Sequence, residues 1–388
     1  MQVNSKLAHL SAEQLVDLLE KYGNQSIPLK DIISEFSIQT TPSALNALLP
    51  PLIHEEAPCP YCVDVFLQSR RPNRSGYTSP IRRCPNCGHQ NTDYCLCLNC
   101  RESAAKKRQW IEEIKRDLIR DDYGGRHYDD NFKCVTLRDA VYLSALIRQS
   151  LSEDLAVVDP YAPGPPLLAP TGDHMREITM HLQGKVLLAV DPESPIDAFV
   201  FNEELTEAHS YYPAKVDWLF LPGLAPASKR QFIADLTAAI DNNWPDAWQN
   251  DMPSLWREII KVEAFEYFFH LLDQRGYQLD KIGEKTHAVF DFLIERFPLS
   301  KIYNLMWQAV RDVTDYNVKN DIPTYRAKNN FVGAIQRKAE KYIAQGWDLK
   351  DSRRDFDCPQ TWISSTFFDT FMKVGEDGFT SMPPPESD

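Results

Sequence analysis

The chain has 388 residues, a formal net charge of −13 at pH 7, 43% hydrophobic residues and 25% charged residues. This composition is ordinary for a globular protein, and the length leaves room for two or three domains with separate cores. No apolar run reaches the roughly 18 residues that cross a bilayer, and the acidic total argues against nonspecific nucleic-acid binding by the whole surface.

The N-terminus predicts a location in the cytoplasm. Residues 1–10 lack the basic start and apolar core of a signal peptide, and most of the cysteines are clustered. In a reducing compartment, clustered cysteines bind metal instead of forming disulfides. Cys134 and Cys358 stand apart from the cluster and are expected to be buried apolar side chains.

Three short helices are predicted at the start of the chain. Ser11 and Gln14 have the spacing of a capping box, and Gly23 is expected to end the helix that this box begins. The second helix is predicted over residues 28–36 and the third over residues 42–49. The N-terminal segment is therefore expected to be entirely helical.

The order of these helices resembles the helix-turn-helix or winged-helix family over residues 10–54, and residues 1–56 are assigned to such a module. The resemblance implies DNA binding through the third helix. However, that helix has no Arg or Lys, and only Ser43 and Asn46 offer side chains that read bases. Docking of a protein is an equal alternative for this module.

Seven of the nine cysteines lie within 42 residues, in spacings that are typical of metal ligands. Two C-x2-C pairs are separated by 21 residues, and a C-x-C-x2-C group follows them. Such pairs present two thiolates from one turn and can close a tetrahedral zinc site. The predicted ligands are Cys59, Cys62, Cys84, Cys87, His89, Cys95, Cys97 and Cys100.

One zinc ion is expected, and eight ligands suffice for two. The favoured sets are Cys59, Cys62, Cys84 and Cys87 for one site, and His89, Cys95, Cys97 and Cys100 for the other. An exchange that joins the first C-x2-C pair with Cys97 and Cys100 stays open, and an iron–sulfur cluster is a minor alternative. Closed, thiolate-rich sites are structural and not catalytic.

The segment around the first two pairs is similar to the zinc-ribbon family. Residues 63–67 are predicted to form a strand, and residues 77–83 to return beside it, between two C-P-x-C knuckles. Gly88 follows the second knuckle, as in that family. Residues 57–103 are therefore assigned to a zinc-ribbon-like module, for which the resemblance implies a structural zinc.

Positive charge is concentrated next to the cysteines. Between Arg70 and Arg126 the chain has 13 basic and seven acidic residues, and a basic amphipathic helix is predicted within residues 104–132. This pattern favours contact with nucleic acid, although the solvated faces of a ribbon and a helix explain it equally well. The predicted contacts are Arg70, Arg71, Arg74, Arg82, Arg83, Lys106, Lys107 and Arg108.

The remainder predicts three further segments. These are a small α/β unit over residues 133–222, with a second winged-helix-like unit as the alternative, a helical domain over residues 223–375, and a disordered tail over residues 376–388. Predicted helices cover residues 137–151, 173–183, 228–241, 253–274, 284–297, 300–314 and 325–345, and predicted strands cover residues 186–190 and 198–201. The fold class is multidomain, mainly α with a small β content.

The chain has no recognisable catalytic motif, and no small-molecule substrate is evident. His54 and Glu56 precede a P-C-x-x-C sequence, but they lie too close to it for a deaminase. The acidic residues 121–130 are interpreted as a solvated loop. Aromatic and basic residues alternate in residues 325–331 and 336–342, which is typical of base stacking or of an amphipathic surface helix.

These patterns together predict a non-enzymatic, zinc-containing protein that binds nucleic acid, with DNA expected, in a regulatory or recruiting role. The alternative is an adaptor subunit, in which the zinc ribbon and the helices dock a protein partner within a larger complex. The −13 net charge and the third helix without basic residues favour this alternative. No membrane partner is expected.

Overall fold

The structure is a computed structural model that describes residues 4–77, 79–125, 135–223, 225–242, 244–278, 282–323 and 330–385. It is mainly helical with few strands, which confirms the predicted fold class at that level. The chain divides into an N-terminal unit, Met1–Ile114, and a C-terminal unit, Lys115–Asp388. Within the described ranges, no helix is long and apolar enough to cross a membrane. Cys134 and residues 126–130 and 325–329 lie outside these ranges.

The N-terminal unit begins with a helical cluster of α1, Ala12–Gly23, α2, Leu29–Glu35, and α3, Leu45–Leu48. The capping box is confirmed, because Ser11 Oγ accepts from the Gln14 amide and the Gln14 side chain accepts from the Ser11 amide. The predicted third helix is reduced to one turn. The core of this cluster is formed by side chains from all three helices, including Leu18, Ile32 and Leu45.

Strands β1, Leu52–Pro58, and β2, Phe66–Ser69, form an antiparallel pair around the first cysteine knuckle. The predicted pairing of residues 63–67 with residues 77–83 is wrong, because β1 is the partner of β2 and Arg83 makes only a single bridge to Gln68. The physical reason is that the knuckle itself reverses the chain: the Cys59 amide donates to the Val65 carbonyl at 2.8 Å. The knuckle therefore replaces the turn of a hairpin.

Helix α4, Leu98–Tyr123, begins six residues before the segment 104–132 in which it was predicted, and it contains the boundary between the two units. All residues from 101 to 110 are exposed. Ile119 near its C-terminal end is fully buried. The basic residues predicted on this helix therefore face solvent.

The C-terminal unit contains nine further α-helices and five short strands within its described residues. The helices are α5, Leu137–Ser150, α6, Gly172–Gly184, α7, Pro226–Asn242, α8, Asp246–Asp273, α9, Glu284–Ile294, α10, Leu299–Lys319, α11, Phe331–Gln345, α12, Trp362–Ser365, and α13, Asp377–Thr380. The strands are β3, Val157–Val158, β4, Leu188–Val190, β5, Phe199–Val200, β6, Ser210–Tyr211, and β7, Trp218–Phe220. Antiparallel pairing joins β3, β7 and β4 in one sheet and β5 with β6 in another.

One hydrophobic core runs through the C-terminal unit, from Ile119 to Phe379. It includes residues of both the predicted α/β segment and the predicted helical domain, so these two segments share a core. The long helix α8 contributes many of its buried side chains, including the aromatic residues Phe265 and Phe268.

The predicted disordered tail is wrong for residues 377–380, which form helix α13. Phe379 is 3% exposed, and its ring meets the ring of Tyr303 edge-on at 5.2 Å. Gly378 lies against the ring of Phe368, where a side chain would not fit. A few apolar side chains within a polar, proline-rich sequence are therefore enough to hold this segment on the core.

Candidate metal centres and basic groove

The first cysteine cluster unites the two C-P-x-C knuckles. One sulfur atom from each of Cys59, Cys62, Cys84 and Cys87 lies within 4.8 Å of all the others. The Cys59–Cys87 sulfur distance is 3.6 Å and the Cys62–Cys84 distance is 3.9 Å. A tetrahedron with metal–sulfur bonds of about 2.3 Å separates its sulfur atoms by about 3.8 Å. The cluster therefore has the dimensions of a four-thiolate metal site.

The electrostatics of this cluster favour a bound cation whenever all four sulfur atoms are ionised. Burial raises the pKa of Cys84, but backbone amides of Cys87 and Asn86 outweigh it and lower that pKa to about 7. Burial and the neighbouring sulfur atoms raise the pKa of Cys87 to about 12. One thiolate forms readily and the next resists ionisation, so four thiolates coexist only around a positive ion.

The second cluster contains His89, Cys95, Cys97 and Cys100, again with all ligand atoms within 4.8 Å of one another. His89 Nδ1 is 3.2 Å from the sulfur of Cys100 and 4.0 Å from that of Cys97. Backbone amides of Cys97 and Gln90 donate to the sulfur of Cys95, which lowers its pKa to about 6 despite burial. Cys100 lies in the first turn of α4.

The two clusters match the two ligand sets that the sequence favours. The alternative that joins Cys59 and Cys62 with Cys97 and Cys100 is not the arrangement in this structure. Each cluster offers four protein ligands. A four-coordinate site without an open position has no place for a substrate or a reactive water. Such a pair of sites can hold metal and cross-link the chain, but it cannot catalyse hydrolysis in the manner of a three-ligand zinc enzyme.

A groove of about 1000 Å³ lies between α3 and the segment from β2 to the second knuckle. Three of the predicted contacts, Arg70, Arg71 and Arg83, line it. The other polar lining side chains include amides and the exposed phenol of Tyr77. None of the described lining residues is Asp or Glu. We call this feature the basic groove.

The other predicted contacts have different surroundings. Arg74 donates to backbone carbonyls of the helical cluster, and Arg82 is paired with Glu56 at 3.0 Å. Lys106, Lys107 and Arg108 are exposed on α4 and do not line the basic groove. The structure therefore brings three of the eight predicted basic residues together and uses two others for internal contacts.

Asn46, a base-reading residue of the presumed recognition helix, also has internal partners. Its side-chain amide donates to the Tyr22 hydroxyl at 2.7 Å and to the Arg71 carbonyl at 3.1 Å. Arg71 in turn donates from Nε to the Pro50 carbonyl at 2.9 Å. These contacts attach the helical cluster to the segment after β2, so the wall of the basic groove is held by hydrogen bonds.

The C-terminal unit contains a polar cavity of about 1060 Å³ that was not predicted. In its wall, His181 Nε2 lies 2.5 Å from the buried Asp139, and Tyr142 donates to Glu258. His174 is 2% exposed, and neither of its ring nitrogens has a protein hydrogen-bond partner. The only sequence signal was the spacing of His174 and His181, seven residues or two helical turns apart on α6.

A third group that could hold a metal was also not predicted. His270 Nε2 lies 3.8 Å from a carboxylate oxygen of Asp355 and 3.8 Å from one of Asp357. Asp357 is exposed, and His270 already contacts the Gln274 amide at 2.7 Å.

Comparison with protein-family models, curated proteins and solved structures finds no match to the chain. Its function is therefore inferred from the chemistry of these sites.

Proposed function

We propose that the chain is a zinc-containing nucleic-acid-binding protein, with a regulatory or recruiting role, whose basic groove holds the nucleic acid. The observation that carries this proposal is the lining of that groove, with three arginines and no carboxylate among its described residues. In a chain of net charge −13, such a surface is a local exception that attracts phosphates.

The basic groove offers each kind of contact that nucleic acid uses. Arg70 and Arg83 are exposed and can pair with phosphate oxygens. Asn86 is among the amides that can reach base edges, while the exposed ring of Tyr77 can stack on a base. DNA is the expected ligand.

Each cysteine cluster, in this proposal, holds one structural zinc ion. Sulfur distances of 3.6 and 3.9 Å agree with tetrahedral zinc–sulfur geometry. Thiolate and imidazole ligands suit zinc, and binding on the order of 10 kcal/mol per site would count as folding energy. The first cluster belongs to a zinc-ribbon-like module, and the helical cluster before it to a helix-turn-helix-like module.

Fluorescence anisotropy tests the nucleic-acid proposal on full-length, zinc-loaded protein with labelled double- and single-stranded DNA and RNA. The parent should bind with sub-micromolar affinity, and each phosphate contact should add about −0.9 to the salt slope on duplex DNA. The double variant Arg70→Glu/Arg83→Glu should weaken binding at least tenfold. Arg230→Glu, an exposed arginine of the C-terminal unit, is the control and should bind as the parent does.

The second candidate function is the adaptor, and a specific observation favours it. Several apolar side chains around the knuckles are exposed, including Val63, Leu96 and Leu98, and Tyr94 is 89% exposed. Exposed apolar side chains in such a cluster are typical of protein docking. If the parent binds no nucleic acid even at about 50 mM salt, the nucleic-acid proposal is abandoned and this surface is the one to test.

A further inference from the structure

A second groove, of about 840 Å³, lies between α10 and α11 in the C-terminal unit. Its lining includes the α10 residues Asp312 and Tyr316, and Arg337, Lys338 and Lys341 of α11, with Trp347 just beyond that helix. We call it the aromatic groove. It contains the segment of residues 336–342 in which aromatic and basic residues alternate, and the proposed function does not use it.

The charge of the aromatic groove is positive. Its one carboxylate among the described lining residues, Asp312, is paired with Lys338 at 2.7 Å and with Arg311 at 2.8 Å. Arg337 and Lys341 have no carboxylate partner among the residues that the structure describes. The groove therefore has two cations that are free to meet an anion.

Exposed rings accompany these cations. Tyr316 is 60% exposed and Trp347 is 52% exposed, and the ammonium group of Lys341 lies 5.2 Å from the centroid of the Trp347 ring. Tyr316 lines the groove from α10 and Trp347 lines it from just beyond α11, so rings are available from both of its walls.

We infer that the aromatic groove is a second nucleic-acid site, which binds a single strand. Cations take the phosphates, and the rings of Trp347 and Tyr316 stack on unpaired bases. In a duplex the base faces are stacked on one another and are not accessible to these rings. An acidic peptide would contact the cations but would leave the rings without a stacking partner. The inference rests on the proposed function only for the ligand class, because no residue is shared with the basic groove.

The test uses full-length, zinc-loaded protein and labelled oligo(dT) or oligo(U) of about 15 nucleotides, with a duplex of equal length beside them. Arg337→Glu/Lys341→Glu should weaken single-strand binding at least tenfold and flatten the salt slope by about 1.4, or about 0.7 per lost phosphate contact. Trp347→Ala should weaken it at least fivefold while the charge is unchanged. Lys185→Glu/Arg230→Glu changes the charge equally on exposed residues elsewhere and should have no effect.

The outcomes separate this inference from the proposed function. In one outcome, Arg70→Glu/Arg83→Glu loses binding, while Arg337→Glu/Lys341→Glu and Trp347→Ala keep the parental affinity for a single strand. This outcome overturns the inference about the aromatic groove and supports the proposal for the basic groove. The reverse pattern supports the aromatic groove and removes the basic one. If free mononucleotides, at the same total nucleotide concentration as the oligomer, displaced the labelled oligomer, the inference that the groove binds a strand would be wrong. Matched circular dichroism spectra show that each variant is folded.

Discussion

The guanidinium group of Arg74 lies over the ring of Tyr22, 5.6 Å from its centroid, and donates to the Tyr22 carbonyl at 3.1 Å. It also donates to the carbonyls of Lys21 and Ile27. Two of these carbonyls belong to the last turn of α1, where carbonyl groups lack helical partners. A positive charge at this end also meets the negative end of the helix dipole. Arg74, one of the predicted nucleic-acid contacts, therefore caps the end of α1.

Replacing Arg74 by Ala should therefore loosen α1 and leave the electrostatics of the basic groove intact. The loss of several charge-assisted hydrogen bonds should cost on the order of 2 kcal/mol, or about 30-fold faster amide hydrogen exchange in residues 12–23. Arg70→Ala removes an equal charge from an exposed residue and should leave this exchange unchanged. Equal exchange rates in the two variants would show that Arg74 has no capping role.

The two clusters should lose zinc independently. Cys84→Ser should reduce the zinc content from two ions to one per chain, and Cys95→Ser should do the same, because each removes a ligand from a different cluster. The combined variant should retain none. Elemental analysis of purified protein measures this directly. Cys358→Ala is the control, since Cys358 is a buried cysteine outside both clusters, and it should retain two ions. One ion in the parent would contradict the two-site proposal.

Glu266 should make the C-terminal unit less stable as the pH rises. Burial, and then the negative charge of Glu263, raise the pKa of Glu266 to about 8. Because the folded state holds a proton that the unfolded state loses near pH 4.3, stability should fall between about pH 5 and pH 8. Glu266→Gln stays neutral at every pH and should raise the unfolding midpoint relative to the parent, by the most at about pH 8.5 and by a smaller amount at about pH 6.

The control for this experiment is Glu153→Gln, which changes an exposed carboxylate. It should reproduce the parental dependence of the unfolding midpoint on pH. A parental profile in Glu266→Gln would mean that Glu266 is already ionised at neutral pH. The comparison is made at about pH 6 and above to limit any contribution from the metal clusters. At lower pH, protons compete more strongly with a metal ion for the thiolate and imidazole ligands.

Gly378 offers a test of helix α13. A Cβ atom there would lie 2.3 Å from the Phe368 ring, so Gly378→Ala should cost about 1–3 kcal/mol and lower the thermal midpoint by several degrees. Gly184→Ala is the matched control at the end of α6, where a Cβ atom meets nothing within 4 Å. It should be neutral or slightly stabilising. Equal midpoints would show that α13 does not dock on the core.

Local features of the fold were predictable from the sequence, and remote contacts were not. The capping box needs only Ser11 and Gln14, three residues apart, and the C-x2-C spacing places two thiolates in one turn whatever surrounds them. The partner of β2 could not be predicted in this way, because the first cysteine knuckle makes the turn that a hairpin loop was expected to make. Where two local patterns predict different turns, the packing of the whole module decides which turn forms.

The candidate sites show the same limit. Positive charge near the cysteines was visible, but the sequence cannot distinguish Arg70, which faces the basic groove, from Arg74, which is used internally. His181 and Asp139 are 42 residues apart, and no spacing rule joins them. Such pairs form through helix packing, so they become recognisable only when the tertiary structure is known.

The start of α4 joins metal binding to helix formation. Cys97 occupies the position before Leu98, its carbonyl accepts from the Arg101 amide at 3.0 Å, and the first turn has no acidic residue. A metal-bound thiolate there would supply the negative charge that a capping carboxylate gives other helices. Residues 101–110 bury no face that could nucleate the helix by packing. A metal ion at this cluster would act as the nucleus of α4, so removing it with a chelator should unfold the first three turns of the helix. The length of α4 would then report whether the site is occupied.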